Sequence, residues 1–277
     1  MKKALHGVSV LHSNAVTQLR IAHETGFDAL ELLPEHLFRY LEHGGTLEKY
    51  KQLMQHYNIE ISCINALKRI GRHQPQERRE MLDEADKICR AAQALGCPVV
   101  QIMALNEIDA LSESERNAIL VRNITDIAAI GAGYGIKFQI EVVAFTPFNS
   151  LKQGKAMINA VGADNVGVVI DFWHLYAGGD TTPEEVEALD VNLIYGVHFC
   201  DGRRLHPGEA WDERVQRNYL PGEGEVDINR WVAAVSKTGY SGVWCPELLS
   251  PTHWEDDLWQ IARDSMSSLT AYTAGKE

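Results

Sequence analysis

The sequence predicts a closed (β/α)8 barrel of the TIM type, and three observations lead there. Eight short apolar runs recur along the 277 residues, the stretches between them carry helical periodicity, and four of the runs end in a lone carboxylate or imidazole. One such barrel usually takes about 250 residues. No linker divides this chain, so residues 1–277 are expected to form a single barrel domain.

The strand-like runs are LHGVSV (5–10), ALELLP (29–34), IEISCINAL (59–67), CPVVQIMAL (97–105), KFQIEVV (137–143), VGVVIDFW (166–173), LIYGVHFC (193–200) and GVWCPELL (242–249). Between them, Leu47, Tyr50, Leu53, Met54 and Tyr57 recur at spacings of three and four, as do Ala85, Ile88, Cys89, Ala92 and Leu95. Such spacing lines one face of a helix. Ser112 with Glu115 reads as a capping box before NAILVRNITDIAAI. Thr182-Pro183-Glu184-Glu185 opens another helix, with Thr182 as its N-cap and Pro183 in the first helical position. Strands alternating with helices imply a parallel sheet, and eight repeats imply closure. GAGYG (131–135) follows a helix and precedes a strand, the reverse of the order a phosphate cradle needs, so it reads as a helix stop. PGEG (221–224) reads as a tight turn before VDINRWVAAV. Neither glycine cluster supports a dinucleotide cofactor.

Composition narrows the partners. A net charge of -12 and the lack of any Lys/Arg-rich run argue against nucleic acid. The five cysteines are odd in number and show no CxxC spacing, so they read as small buried hydrophobes in a reducing compartment. No signal pattern and no stretch long enough to span a bilayer is present, and the expectation is a cytoplasmic protein that avoids membranes.

The four polar strand tips carry the chemistry. They are Glu141, Asp171, His198 and Glu247, on strands five, six, seven and eight. A lone ionisable group at a buried strand end is costly unless paired or bound to a metal. In a closed parallel barrel these four tips converge at the C-terminal face, where active sites of the fold lie. Three carboxylates and one imidazole suit one hard divalent cation, Mn2+, Mg2+ or Co2+, with Zn2+ or Fe2+ as the wider range. The alternative is four unrelated residues, each with a local partner. His174, three residues after Asp171 at the start of the following loop, can reach a substrate oxygen or the metal's ligands; the alternative is a histidine packed on Trp173 or Tyr176. Glu31, Asn65 and Gln101 are further polar tips that either line the cavity or satisfy nearby backbone. His206, Pro207 and Asp212 lie in a long polar loop of the kind that forms lids. WEDDLWQ (254–260) and Trp211 offer aromatic surface for a homo-oligomer.

On the stretches TGFDALEL, INAL, CRAAQALGCPVVQ, YGIKFQIE, NVGVVIDFWH, GVHFCD, PGEGEVD and CPELLSP, the chain resembles the xylose-isomerase-like sugar (phosphate) isomerase/epimerase superfamily. Within it, the chain is most similar to inosose (2-keto-myo-inositol) isomerases. The most specific elements are the D-x-x-H of Asp171 and His174, the lone His198, and P-G-x-G followed by an E-L strand tip. The resemblance implies that Glu141, Asp171, His198 and Glu247 bind one divalent metal. It also implies that Glu141 and Glu247 are the catalytic acid/base pair and that His174 contacts substrate. Many members carry an arginine before P-G-x-G, which makes Arg217, four residues before Pro221, the second substrate-binding candidate.

The implied reaction is isomerisation or epimerisation of a keto-sugar or keto-cyclitol, by proton transfer through a metal-stabilised enediolate. A metal-dependent dehydratase of an inosose- or dehydroshikimate-like substrate is the competing expectation. The apurinic endonuclease branch of the same fold is disfavoured, because Asn65 and Gln101 stand where its extra histidines are needed. Specificity is expected in the loop side chains Trp173, Trp211, His206 and Arg217.

Overall fold

The structure, a computed structural model, describes residues 1–179 and 181–275. Eight parallel strands close into a barrel in sequential order, with β8 hydrogen-bonded back to β1. The strands are β1 (Lys2–His6), β2 (Ala29–Leu32), β3 (Glu60–Lys68), β4 (Val99–Met103), β5 (Lys137–Glu141), β6 (Val166–Asp171), β7 (Ile194–Phe199) and β8 (Val243–Pro246). Helices such as Ala15–Glu24, Pro75–Leu95, Glu113–Tyr134 and Leu258–Thr273 pack outside them. All eight expected strands are present, the capping box at Ser112 forms as read from sequence, and Thr182 is the N-cap before Pro183, its N–H donating to Glu185 Oε2 at 2.9 Å.

Period-two alternation sorts each strand into two faces. On β6, Val168 and Ile170 join the large core between barrel and helices; on β7, Val197 and Phe199 do the same. The residues between them point into the barrel. Small interior side chains, Ala4, Ala29 and Cys245, pack as a separate cluster. Above lie Gln101 and Gln139, joined by a 2.7 Å hydrogen bond and both buried. Gly196 makes room for that pair, since a Cβ there would press on the Gln139 amide. The interior positions one step further up are His6, Glu31, Glu141, Asp171 and His198. Register sets His6 beside Glu31 and Asp171 beside His198. The polar layer is therefore the uppermost layer of the alternation.

Of the apolar runs that stop sooner than expected, two end where a side chain caps the turn that follows. The first leaves the sheet at His6, whose Nδ1 accepts the Val8 N–H at 3.0 Å and starts the 3-10 turn Gly7–Val10. Run six ends at Asp171, whose Oδ1 accepts the His174 N–H at 2.6 Å and opens the short helix Phe172–Ala177. His174 thus lies in a helix rather than a loop. The five cysteines are free and buried, and burial pushes the Cys89 and Cys97 thiols up to about 12. Among the described residues no helix is long and apolar enough to cross a membrane. Trp254 and Trp259 are used within the chain: their indole N–H groups donate to Val8 O and to Glu24, leaving Trp211 as the exposed aromatic expected for a partner.

GAGYG behaves as a helix stop, with Gly135 in the left-handed cap conformation at φ 72° after Tyr134. Its helical glycines differ in purpose. A Cβ on Gly131 would collide with the buried Phe138 ring, whereas one on Gly133 meets nothing. Gly133→Ala should therefore stabilise the fold by about 0.5–1 kcal/mol through helix propensity. Gly131→Ala should destabilise it by about 1–3 kcal/mol through overpacking. Chemical denaturation of both variants checks the opposite signs.

Candidate metal centre

The four strand tips meet. One oxygen each from Glu141, Asp171 and Glu247 and one ring nitrogen of His198 all lie within 4.8 Å of one another. His198 Nδ1 faces Glu141 Oε1 at 3.3 Å, Glu247 Oε2 at 3.3 Å and Asp171 Oδ2 at 3.5 Å. Donors placed tetrahedrally at metal-bond length stand about 3.4 Å apart. Two of the buried atoms, Glu141 Oε1 and His198 Nδ1, have no hydrogen-bond partner. Unpaired buried donors and acceptors are costly, and here both face the centre of the cluster. The donor set, spacing and orphaned atoms all fit one divalent ion. Asp171 divides its duties, with Oδ1 capping the following helix and Oδ2 facing the cluster.

The ring of His198 is aimed by residues behind it. Its Nε2 lies 3.0 Å from Glu31 Oε1, and Glu31 also accepts from Asn65 Nδ2 at 2.9 Å. Glu31 is 2% exposed, so this bond has no competition from water. A proton held on Nε2 by Glu31 leaves Nδ1 as the ligating nitrogen. His6 approaches from β1. Its Nδ1 is occupied by the Val8 N–H, which leaves Nε2 to face Glu247 Oε1 at 3.4 Å. Glu31 and Asn65 were readable only as polar tips, and the part played by His6 was not readable, because these roles lie in contacts between β1, β2, β3 and β7. Gln101 bonds to Gln139 lower in the barrel and does not line the cavity.

Charge is balanced within the cluster. Burial is the largest single influence and raises the carboxyl pKa values, but Arg217 and the neighbouring histidines together hold both Glu247 and Asp171 below the ordinary range. The Arg217 Nη2 lies 2.6 Å from Glu247 and 3.2 Å from Asp171. Glu141 lacks that neighbour, and burial raises it. Burial works upward on Glu31 too, yet His198 prevails and brings it down to about 2. For His198 burial works downward, but Glu31 and Glu247 prevail and lift it well above 6.5. Burial leaves His6 lowered and neutral.

Above the cluster opens a cavity of about 420 Å³. Glu141, Glu247, His174 and Arg217 line it, with Lys68, Asn65 and Glu213, and an apolar wall that includes Val8, Leu33, Phe145 and Leu249. His174 Nδ1 accepts the Ala144 N–H at 3.2 Å, so the ring proton is assigned to Nε2, next to Arg217 and Glu213. Trp173 is buried beneath the Arg217 guanidinium, 5.1 Å from its ring centre. His206 points elsewhere: it is exposed beside Glu209 and does not line the cavity. The PGEG turn is hung on Asp201, whose carboxylate accepts the N–H groups of Gly202, Gly222, Gly224 and Val226 at 2.7, 2.8, 3.0 and 3.1 Å.

Residues 19–271 match the family model described as xylose isomerase-like TIM barrel. An inosose isomerase of Halalkalibacterium halodurans is 27% identical over 252 residues, covering 88% of this chain and 86% of that protein. A 3-dehydroshikimate dehydratase of Pseudomonas putida is 23% identical over 97% of this chain and 41% of that protein. The crystal structure of IolI protein with a binding zinc atom superposes with a TM-score of 0.92 at 23% identity, covering 100% of this chain and 99% of that one.

A divalent ion should displace a proton from His198. The folded, metal-free pKa is raised, so the imidazole is protonated below it and the ion must compete with that proton. Apparent affinity should rise with pH up to that pKa and level off above it. Calorimetric titration with Mn2+ in buffers of different ionisation enthalpy should show about one proton released per ion at neutral pH. No release would show that the ion displaces no proton from His198. Glu31→Gln should weaken metal binding by about 10–100-fold while the fold is retained, because the amide no longer holds the Nε2 proton as a carboxylate does.

Proposed function

The chain belongs to the xylose isomerase-like TIM barrel family, and from that premise we propose that it is a divalent-metal-dependent isomerase or epimerase of a keto-sugar or keto-cyclitol, acting as one barrel domain. The observation that carries this reading is the placement of two glutamates, Glu141 and Glu247, both in the four-residue cluster and both on the wall of the cavity. A site built only to bind a sugar needs neither a proton acceptor and donor nor a cation. The inosose isomerase relatives support the cyclitol end of the substrate range.

In the proposed centre Glu141, Asp171, His198 and Glu247 hold one ion, and the oxygen-rich set suits Mn2+, Mg2+ or Co2+. When bound, such an ion supplies positive charge beside the substrate carbonyl, which acidifies the neighbouring C–H. One glutamate takes the proton from the carbon beside the carbonyl, and the bonding pair shifts to form an enediolate. In isomerisation the same glutamate returns its proton to the adjacent carbon while the hydroxyl proton passes from one enediolate oxygen to the other; in epimerisation the second glutamate, entering protonated, delivers its own proton to the opposite face of the same carbon. Arg217 faces the developing oxygen charge as a fixed cation, and the Nε2–H of His174 is placed to donate to a substrate oxygen. Trp173 beneath Arg217 and Phe145 beside His174 limit the positions these side chains can take.

A lyase reading has its own support in the Pseudomonas putida dehydratase, whose match spans nearly this whole chain. It shares the first proton transfer and differs in expelling a hydroxyl from the carbon beyond. Incubation of Mn2+-loaded protein with keto-inositols and ketohexoses in D2O separates the two. Deuterium entering one carbon without loss of water is the expected outcome; a growing conjugated-enone absorbance would establish the dehydratase instead.

Two variants test the roles. Glu247→Gln should retain most of the metal, since the amide oxygen still ligates, yet lower kcat by about 10²–10⁴-fold because it cannot carry the proton. His174→Ala should keep metal content and fold while losing about 1.5–3 kcal/mol of transition-state binding, which is ten- to over a hundredfold in kcat/KM. Metal analysis beside steady-state kinetics decides both: loss of the ion in His174→Ala would make that residue a ligand.

A further inference from the structure

We infer that the cavity accepts an uncharged polyhydroxy ketone and rejects its phosphate ester, an inference that rests on the reaction class proposed above and narrows its substrate. In (β/α)8 barrels a substrate phosphate is frequently held by backbone N–H groups of the loops after strands seven and eight. This chain has such a nest of N–H groups after β7, and its own Asp201 fills it. Asp201 is 1% exposed and accepts four backbone N–H groups, from Gly202, Gly222, Gly224 and Val226. Gly224 leaves no room beside that carboxylate, since even a Cβ there would strike it. An anion-binding concavity is thus already neutralised from within, by a group tied to the sheet at the end of β7.

The side-chain cations of the cavity and of the loop after β7 are matched in the same way. Arg203 makes a bidentate pair with Glu209 at 2.7 and 2.9 Å, Arg214 pairs with Asp212, and Lys68 pairs with Glu35 at 2.9 Å. Arg217, at 2% exposure, is engaged by Glu247 and Asp171. Glu213 faces the cavity beside Arg217 and His174, so a phosphate dianion would meet a carboxylate at the rim. Opposite stands the apolar wall of Val8, Leu33 and Leu249, which suits the C–H face of a ring or carbon chain rather than a charged group.

The experiment uses the whole Mn2+-loaded protein and matched pairs of probes. Calorimetry with myo-inositol and myo-inositol 1-phosphate reads binding without turnover. Deuterium exchange with D-fructose and D-fructose 6-phosphate reads reaction. The neutral member should bind or exchange at least about 100-fold better than its ester, given the like charges at the rim. An ester that binds or reacts as well as its neutral partner overturns the inference, and so does failure of both inositols to bind. Preferential binding of myo-inositol with no exchange in any sugar would sustain the neutral cavity and count against the reaction class alone.

Discussion

Three carboxylates converge on one imidazole inside a barrel from which water is largely excluded, and the upper half of the molecule is arranged around that repulsion. Left alone, burial would drive the carboxyls towards their protonated form. Arg217, with the neighbouring histidines, prevents this for Asp171 and Glu247, and it bonds both, at 3.2 and 2.6 Å. Glu31 does the corresponding work behind His198, holding its outer nitrogen at 3.0 Å. Buried charges of this kind contribute little net stability because desolvation opposes their attraction. What the arrangement secures is position: Asp171, His198 and Glu247 each aim one donor atom at the centre while the other is held by a neighbour.

That positioning begins in the sheet. Alternation along β6 and β7 sends Asp171 and His198 inward after Val169 and Gly196, and parallel register sets them side by side. The residues on the other face, Ile170 and Phe199 among them, are locked in the core against the surrounding helices. A strand slipped by one residue would send its ligand candidate outward. The site is therefore as rigid as the barrel, while the side chains that shape the cavity mouth, such as Phe145, Glu213 and Leu249, come from loops and short helices. This division lets one charged floor serve different substrates.

The barrel was legible because apolar runs and helical stretches alternate eight times, a pattern few other folds produce. The four cluster residues were legible for a related reason: a single ionisable residue closing an apolar run has no local partner. Less visible was the way the runs end. Asp171 and His6 stop their strands by capping the next turn with a side chain, and nothing in the apolar pattern of VGVVIDFW or LHGVSV marks that. Glu31 could be seen as a polar tip but not as the partner of His198, since that pairing spans 167 positions of sequence. Asp201 ends GVHFCD as a plain aspartate, and its hold on the PGEG turn emerges only when the two loops fold together. The aromatic residues of WEDDLWQ read as surface because sequence does not disclose that Val8 O and Glu24 await their indole N–H groups.

Under the proposed reaction class, isomerisation and dehydration begin alike. Both begin by moving a proton from the carbon beside a carbonyl, the step for which Glu141 and Glu247 are proposed. They part at the next step. Isomerisation needs a proton returned to carbon, which a glutamate beside the substrate can do. Elimination needs a proton delivered to a departing hydroxyl further along the chain, and so a donor held over that position. In this chain the groups above the floor include His174, with its Nε2–H facing the cavity, Arg217, a permanent cation already bonded to two carboxylates, and Lys68, which is paired with Glu35. Arg217 is a poor proton donor at any ordinary pH, and His174 is one group serving one substrate oxygen. The outcome therefore depends on which oxygen the apolar wall of Val8, Leu33 and Leu249 brings under His174: a carbonyl or enediolate oxygen favours isomerisation, and a hydroxyl one carbon further favours loss of water.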